Sequence, residues 1–310
     1  MVPFLRCLSI LIYHRVVAEP DPLLPDEVCV SDFDWHLSAL ARWFRVIPLS
    51  EAVARLRSGT LPARAACVTF DDGYADNVSA ALPLLRKHGI PATFFVATGF
   101  LDGGRMWNDT VIEIVRRASE STLDASPVGL GRLDLATLDQ RRRSLDKLLG
   151  ALKYLPIEER QRRADELGAS TVRELPSRLM MTTDDVAYLH KNGMEIGAHT
   201  VHHPILAKLD LANARNEIRQ SKARLEAITG STVSLFAYPN GKPGLDYRRE
   251  HVEIVKQTGF VAAVSTARGV ARAGTDPHQL PRFTPWDRTP GKFLLRLAQN
   301  ALSTKAVEQV

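Results

Sequence analysis

The chain has 310 residues, 45% hydrophobic and 24% charged, which suffices for one large barrel or two smaller domains and excludes a disordered chain. Its net charge of +5 and pI ≈ 9.2 suit an acidic glycan or an anionic surface. The basic residues are spread out, in blocks such as Arg141-Arg142-Arg143 and Arg160-Gln161-Arg162-Arg163, which argues against a nucleic-acid partner.

Ile10-Leu11-Ile12-Tyr13-His14 reads as a strand ending in a histidine, with alternate aliphatics before it. The apolar start is short, and His14-Arg15 interrupts it ahead of Val16-Val17-Ala18, so it does not read as an export signal. A helix is predicted from Ser31 to Trp43, capped by Ser31 or Asp32, with Leu37, Leu40 and Ala41 on one face. A brief strand at Val46 to Leu49 precedes a helix from Glu51 to Arg57 capped by Ser50. Ala65 to Phe70 is a short buried strand, Ala75 to His88 a helix interrupted at Pro83, and Pro91 to Ala97 the next strand. From about Phe100 to Pro176 strand signals stop and Arg, Leu, Glu and Asp dominate, as in an insertion of several helices. Thr182 to Asp185 caps a helix to Asn192, followed by a strand at Gly193 to Ala198. A helix at Asp210 to Thr229, a strand at Val233 to Ala237, a helix at His251 to Gly259 and a strand at Val261 to Ser265 come next. Gln279 to Phe283 reads as a late strand and Lys292 to Leu302 as a terminal helix. Repeated βα units predict a parallel sheet, and site residues at strand ends favour a barrel. The expected fold is therefore α/β: one domain over 1–310, a distorted parallel (β/α) barrel with a helical insertion at about 100–180 and a C-terminal helix at about 290–310. Cys7, Cys29 and Cys67 form no disulfide framework or metal-ligand spacing, and no apolar run reaches the length of a membrane span. Cytoplasmic residence is the expectation.

Thr69-Phe70-Asp71-Asp72-Gly73 places two acids at the mouth of an apolar strand. Burying a carboxylate costs several kcal/mol unless it meets a metal, a cation or hydrogen bonds. Neighbouring strand residues point to opposite sides, so one acid can hold a cation while the other moves a proton. After the strand at 193–198, His199-Thr200-Val201-His202-His203 sets two imidazoles four residues apart. With one carboxylate they make a facial ligand set for a catalytic divalent metal, His202 being an alternative ligand.

These two motifs together resemble the first two motifs of the polysaccharide deacetylases, the NodB-homology fold of carbohydrate esterase family four. The resemblance implies Asp71 as general base, Asp72, His199 and His203 as metal ligands, and removal of an N-acetyl, less often an O-acetyl, group from a sugar. The chemistry agrees: a divalent ion lowers the pKa of its water and polarises a carbonyl, and a carboxylate beside it can take the proton. The implied cofactor is one divalent metal, zinc first, with cobalt, nickel and manganese as alternatives.

The third family motif normally carries an Arg two residues before its Pro. Leu235-Phe236-Ala237-Tyr238-Pro239-Asn240-Gly241 has the Tyr-Pro-x-Gly part, but Ala237 stands where the Arg belongs. Arg282, at the end of the late strand, is a candidate replacement, because a cation leaving an apolar strand needs an acid and Asp71 is available. The resemblance suggests the backbone N–H of Tyr238 as an oxyanion donor, with Pro239 and Asn240 beside it. The last family motif, Leu-x-Leu-x-His near the C-terminus, has no counterpart there, and Ile10-x-Ile12-x-His14 carries the pattern at the other end. Chain ends in a closed barrel are neighbours, so this arrangement is similar to the circularly permuted branch that deacetylates exopolysaccharides such as poly-N-acetylglucosamine, and it assigns His14 as general acid. Trp107 and Asp109, which open the insertion, are candidates to line a sugar cleft, against a packed Trp in a capped helix. The expected partners are an N-acetylated glycan and exopolysaccharide-synthesis machinery. Two other readings stay open: a metal-dependent amidohydrolase of a small non-sugar amide, and a non-catalytic glycan-binding relative, the latter motivated by Ala237.

Overall fold

The computed structural model describes residues 6–171, 174–303 and 305–310. Its elements alternate from the start: β1 (Leu8–Tyr13), α1 (Val30–Trp43), β2 (Arg45–Val46), α2 (Leu49–Arg57), β3 (Ala65–Phe70), α3 (Leu82–His88) and β4 (Ala92–Val96). The next elements are α4 (Trp107–Arg117), β5 (Thr122–Asp124), β6 (Arg132–Asp134), α5 (Leu138–Leu152) and α6 (Ile157–Thr171). The chain closes with α7 (Thr183–Lys191), β7 (Glu195–Ala198), α8 (Leu211–Thr229), β8 (Leu235–Ala237), α9 (Arg249–Gln257), β9 (Ala262–Arg268), β10 (Leu280–Arg282) and α10 (Pro290–Leu302).

The chain divides into two compact units. The first runs to Glu19 and through Glu27–Asp102 and Met181–Val310; the second comprises Pro20–Asp26 and Gly103–Met180. The expected single domain is thus resolved into a barrel unit and an insertion with its own core.

In the first unit the strands follow the order β1-β3-β4-β7-β8-β9-β10, every neighbouring pair parallel. Leu11 of β1 bridges Phe283, just past β10, so the last strand returns to the first and the sheet nearly closes into a distorted barrel. β2 pairs only with Ala65 and Ala66, sharing one edge of β3 with β4. All six residues of β1 and of β3 are buried, as strands covered on both faces require. A Cβ on Gly197 of β7 would lie 2.4 Å from the Phe95 ring, so only glycine lets β4 and β7 pack there. Because all seven barrel strands run the same way, their C-terminal ends form one rim.

Several boundaries differ from the sequence expectation. α1 starts at Val30 behind Cys29 with no side-chain cap, Ala41 is exposed, and Phe33 and His36 join Leu37 and Leu40 inside. Ser50 lies within α2 and does not cap it. Glu195 does so from β7, its Oε2 accepting from Leu49 N at 2.7 Å and its Oε1 from Ser50 N at 3.2 Å. The interruption at Pro83 is a π-helical turn over Asn77–Ala81, after which Pro83 sits in the first turn of α3. Thr182 caps α7 as predicted, accepting from Asp185 N at 3.1 Å, while Asp210, predicted as the first helical residue, caps α8, accepting from Asn213 N at 2.8 Å.

The second unit packs Ile114, Leu145, Leu148 and Leu167 into a core of its own, and Arg116 reaches Asp21 at 2.6 Å. It is not purely helical: β5 and β6 form a hairpin. Strands of three residues are too short for periodicity to register, and the turn between them uses left-handed Gly129 and Gly131. Among the described residues no helix is long and apolar enough to cross a membrane.

His36 sits in the core of the first unit, its Nδ1 3.3 Å from Tyr13 Oη and its ring stacked on Phe293. Burial pushes its pKa down from 6.5 to about 4. As pH falls below 6.5 the unfolded chain takes up a proton that the folded chain refuses, so stability is lost down to about pH 4, by up to about 3 kcal/mol. Thermal unfolding should show Tm falling through that window, with a shallower fall in His36→Gln; equal slopes would clear His36 of responsibility.

Candidate metal and acid–base site

The C-terminal rim gathers Asp71 and Asp72 after β3, His199 and His203 after β7, Tyr238 to Asn240 after β8, Arg282 at the end of β10 and His14 after β1. Five strands far apart in sequence thus feed one site.

Asp71 and Asp72 are buried, at 2% and 6% exposure, and they have different partners. Arg282 Nη1 and Nη2 donate to the two oxygens of Asp71 at 2.7 and 2.6 Å. The same guanidinium is fixed by Nε to Ser265 O at 2.9 Å and by Nη1 to Thr69 Oγ1 at 3.3 Å. Burial pushes the Asp71 carboxyl up, the charges of Arg282 and His199 pull it down, and it ends below the ordinary carboxylate value. Asp71 is therefore held as an oriented carboxylate.

Asp72 turns the other way, at φ 75°, an αL conformation that puts its side chain toward the histidines. Its Oδ1 lies 3.4 Å from Nε2 of His199 and 3.4 Å from Nε2 of His203, and accepts no hydrogen bond. The three ligand atoms all lie within 4.8 Å of one another. The other ring nitrogen of His199, Nδ1, is 2.8 Å from the carbonyl of Ala237, which directs Nε2 into the site. Burial opposes a charge on His199, the two carboxylates favour one, and its pKa ends above the ordinary value. A buried, unpartnered carboxylate oxygen facing two aimed imidazoles fits a divalent cation.

The loop holding the histidines is strained, with Thr200 at φ 65° and His203 at φ 50°. Glu217 from α8 supports it: Oε2 accepts from Val201 N at 2.9 Å and His202 N at 2.8 Å, while Oε1 meets His202 Nδ1 at 2.7 Å. His202 is thus turned out to Glu217 and leaves the ligand set to its neighbours. Sequence reasoning missed Glu217, because a lone Glu in a long helix carries no local signal. It also missed Asp76 and Asn77. Asp76 accepts from Val16 N at 3.2 Å and Arg15 Nε at 2.8 Å, and Asn77 Nδ2 donates to the carbonyl of His14 at 2.9 Å. These bonds hold the backbone beneath the His14 ring, which is exposed and close enough for its charge to act on Asp71 and Asp72.

One expectation changes. The N–H of Tyr238 donates to Val264 O at 3.1 Å within the sheet, and its side chain is buried and stacked on Tyr247, so it is not placed to serve an oxyanion. Pro239 has no N–H, and the next amide, that of Asn240 at φ 57°, enters no backbone hydrogen bond. Trp107 and Asp109 belong to the second unit. Trp107, partly buried, packs on that unit's core with the Arg160 guanidinium 4.9 Å from its ring centroid, and Asp109 is 3% exposed.

Residues 58–124 and 167–263 match the polysaccharide deacetylase family, so over half of the chain fits and the protein belongs to that family. The stretch between the two matched segments falls in the insertion. YxkH of Bacillus subtilis (strain 168), whose name refers to the same family, is 21% identical over 277 residues, 89% of this chain and 70% of that protein. The fold is shared with the Streptococcus pyogenes deacetylase PplD, solved in complex with acetate, at TM-score 0.63 and 20% identity over 94% of this chain and 97% of that one. It is also shared with IcaB from Ammonifex degensii, at TM-score 0.62 and 20% identity over 96% and 98% of the two chains.

Arg282→Leu removes one half of the buried pair and leaves Asp71 uncompensated. Unfolding by denaturant should show a loss of about 3–5 kcal/mol, and Asp71→Asn in the same background should recover part of it. Wild-type stability in Arg282→Leu would mean that the pair contributes nothing to folding.

Proposed function

We propose that this protein is a metal-dependent deacetylase that removes N-acetyl groups from a polysaccharide or oligosaccharide. The observation that carries the reading is the pair of adjacent buried carboxylates with separate duties: Asp71 clamped by Arg282, and Asp72 with an unpartnered oxygen aimed at His199 and His203. Asp72, His199 and His203 would hold one divalent ion, zinc by donor chemistry, with cobalt, nickel or manganese able to take the same ligands. When bound, the ion supplies a Lewis acid that polarises the acetyl carbonyl and acidifies water.

Asp71 takes the proton of the attacking water. Arg282 stands in for the Arg absent at position 237, fixing the carboxylate in its ionised form and in one orientation. The N–H of Asn240, which enters no backbone hydrogen bond, takes the oxyanion role assigned by the resemblance to that of Tyr238. His14 gives a proton to the leaving nitrogen, which an amide requires because an amine anion is a poor leaving group. Family membership, and acetate in the PplD structure, support a deacetylation product of this kind. The motive for a non-catalytic relative, an unsupported base beside Ala237, weakens once Arg282 pairs with Asp71.

Acetate release should be measured on a panel of N-acetylated glycans with metal-stripped and metal-restored protein. Release on none of them, with metal bound, would turn the reading toward a small-amide hydrolase or a binding protein. Replacing Asp72, His199 or His203 by Ala should sharply lower metal retention measured by elemental analysis. Glu217→Ala, which removes no ligand, should weaken metal affinity about 10–100-fold. Stoichiometric metal in a His199→Ala, His203→Ala double variant would remove the assignment.

Asp71→Asn should keep the metal while turnover falls by roughly 10²–10⁴-fold. His14→Ala should also keep it, lower turnover, and abolish the alkaline decline of the pH–rate profile. Metal loss in Asp71→Asn would make Asp71 a ligand, and an unchanged profile in His14→Ala would leave the acid elsewhere.

A further inference from the structure

Trp286 lies four residues past Arg282 and is 50% exposed. An indole half in water keeps a broad apolar face open, and this one is held in place. Arg296 of α10 lies over the ring, 3.9 Å from its centroid, with Phe283 on the far side of the same guanidinium group's reach at 4.7 Å. The guanidinium is itself tied, by Nη1 to Asp287 Oδ2 at 2.6 Å and by Nη2 to Thr284 O at 3.2 Å. Only 16% of the Arg296 side chain and 6% of the Asp287 side chain is exposed, so the brace is rigid. With a fixed cation behind one ring face, the exposure falls on the other face and the edges. A partner stacking there meets a preorganised surface and immobilises little.

The position matters as much as the exposure. Phe283, just past β10, bridges Leu11 near the end of β1, so His14 and Trp286 each follow three residues after paired positions at the C-terminal ends of neighbouring strands, Trp286 in an irregular segment. Arg288 Nη1 donates to Asp32 Oδ2 at 2.6 Å, which keeps the segment against the start of α1 on that rim. Beside Trp286 in the chain, Thr284, Arg288 and Thr289 are polar and exposed, while Asp287 is buried against Arg296. An open aromatic face with hydrogen-bonding groups at its edge matches a pyranose, which has an apolar C–H face and hydroxyls around its perimeter.

We propose that Trp286 is a sugar-stacking residue that binds a pyranose ring of the glycan adjoining the unit that loses its acetyl group. The inference rests on the deacetylase reading and extends it from the reacting acetamide to a neighbouring sugar. Trp286 selects a chain over a lone acetylated unit, and it acts on binding more than on the chemical step.

The test compares wild type, Trp286→Ala and Trp286→Phe, metal-loaded, on N-acetylglucosamine oligomers of increasing length and on a small acetyl ester. In Trp286→Ala the ratio of kcat/KM for the tetramer to that for the ester should fall about tenfold, the scale of one aromatic contact, with the loss in KM; Trp286→Phe should recover part of it. In wild type, one tryptophan indole N–H resonance, assigned by its absence from Trp286→Phe, should shift on adding the tetramer. An unchanged ratio, an equal loss on both substrates, or a still indole resonance would overturn the proposal while leaving the deacetylase reading intact. A wild-type enzyme that releases no acetate from any oligomer would overturn the reading itself, and the stacking role with it.

Discussion

The Asp71–Arg282 pair is the interaction on which the rest of the site depends. It joins the end of the third strand to the end of the last one inside a nearly closed barrel, with both side chains almost wholly withdrawn from water. Two buried charges are tolerated there because the guanidinium fork satisfies both carboxylate oxygens and gives two further donors to Ser265 and Thr69. The pair also sorts the two acids. With Asp71 saturated by Arg282, the uncompensated negative charge of the site falls on Asp72, the acid that faces the histidines.

The backbone around that charge is held in unfavourable conformations. Asp72, Thr200, His203 and Asn240 all have positive φ, at 75°, 65°, 50° and 57°, and all lie on the same rim. Each such residue costs on the order of 1–3 kcal/mol, so the surroundings must hold it. Asp72 is followed by Gly73, at φ 89°, whose missing Cβ would sit 3.0 Å from Val96, and Gly73 O accepts from Met181 N at 2.9 Å. Glu217 holds the loop between Thr200 and His203, and Thr266 Oγ1 donates to Asn240 O at 2.7 Å. The concentration of strain at one end of the barrel, held by braces from several elements, belongs to a site whose geometry serves chemistry at a cost in stability.

The route of the chain follows from the same closure. Because Leu11 lies against Phe283, the first and last strands of the barrel are neighbours, and a histidine at the end of β1 shares the rim with an arginine at the end of β10. A circular permutation of the family order is compatible with this arrangement, since a nearly closed sheet has its seam wherever the chain begins. The rigid Trp286–Arg296 stack continues the same rim beyond β10.

Much was legible in the residues alone. Apolar runs of strand length, each followed by a polar turn, located the parallel strands; Thr182 announced its helix; and acids and histidines beside apolar strands marked the site, because such groups are too costly to bury without a purpose. Arg282 was legible for the same reason. The rest depended on groups that meet only after folding. Nothing local distinguishes Glu217 from any other glutamate of a solvated helix, or Glu195 as the cap of a helix 145 positions away. The N–H of Tyr238 was assigned to an oxyanion because sequence does not tell which amides the sheet consumes, and β9 consumes that one. Trp107 and Asp109 follow a strand mouth in sequence, and only folding showed that they belong to the second unit, with Trp107 against its core. The sequence by itself determined which residues carry charge, metal-ligating side-chain types and strand or helix character, since these are properties of side chains and their spacing. Only the tertiary structure decided which partner each charged or polar group meets, since burial, closure of the barrel and competition for hydrogen bonds arise between segments distant in the chain.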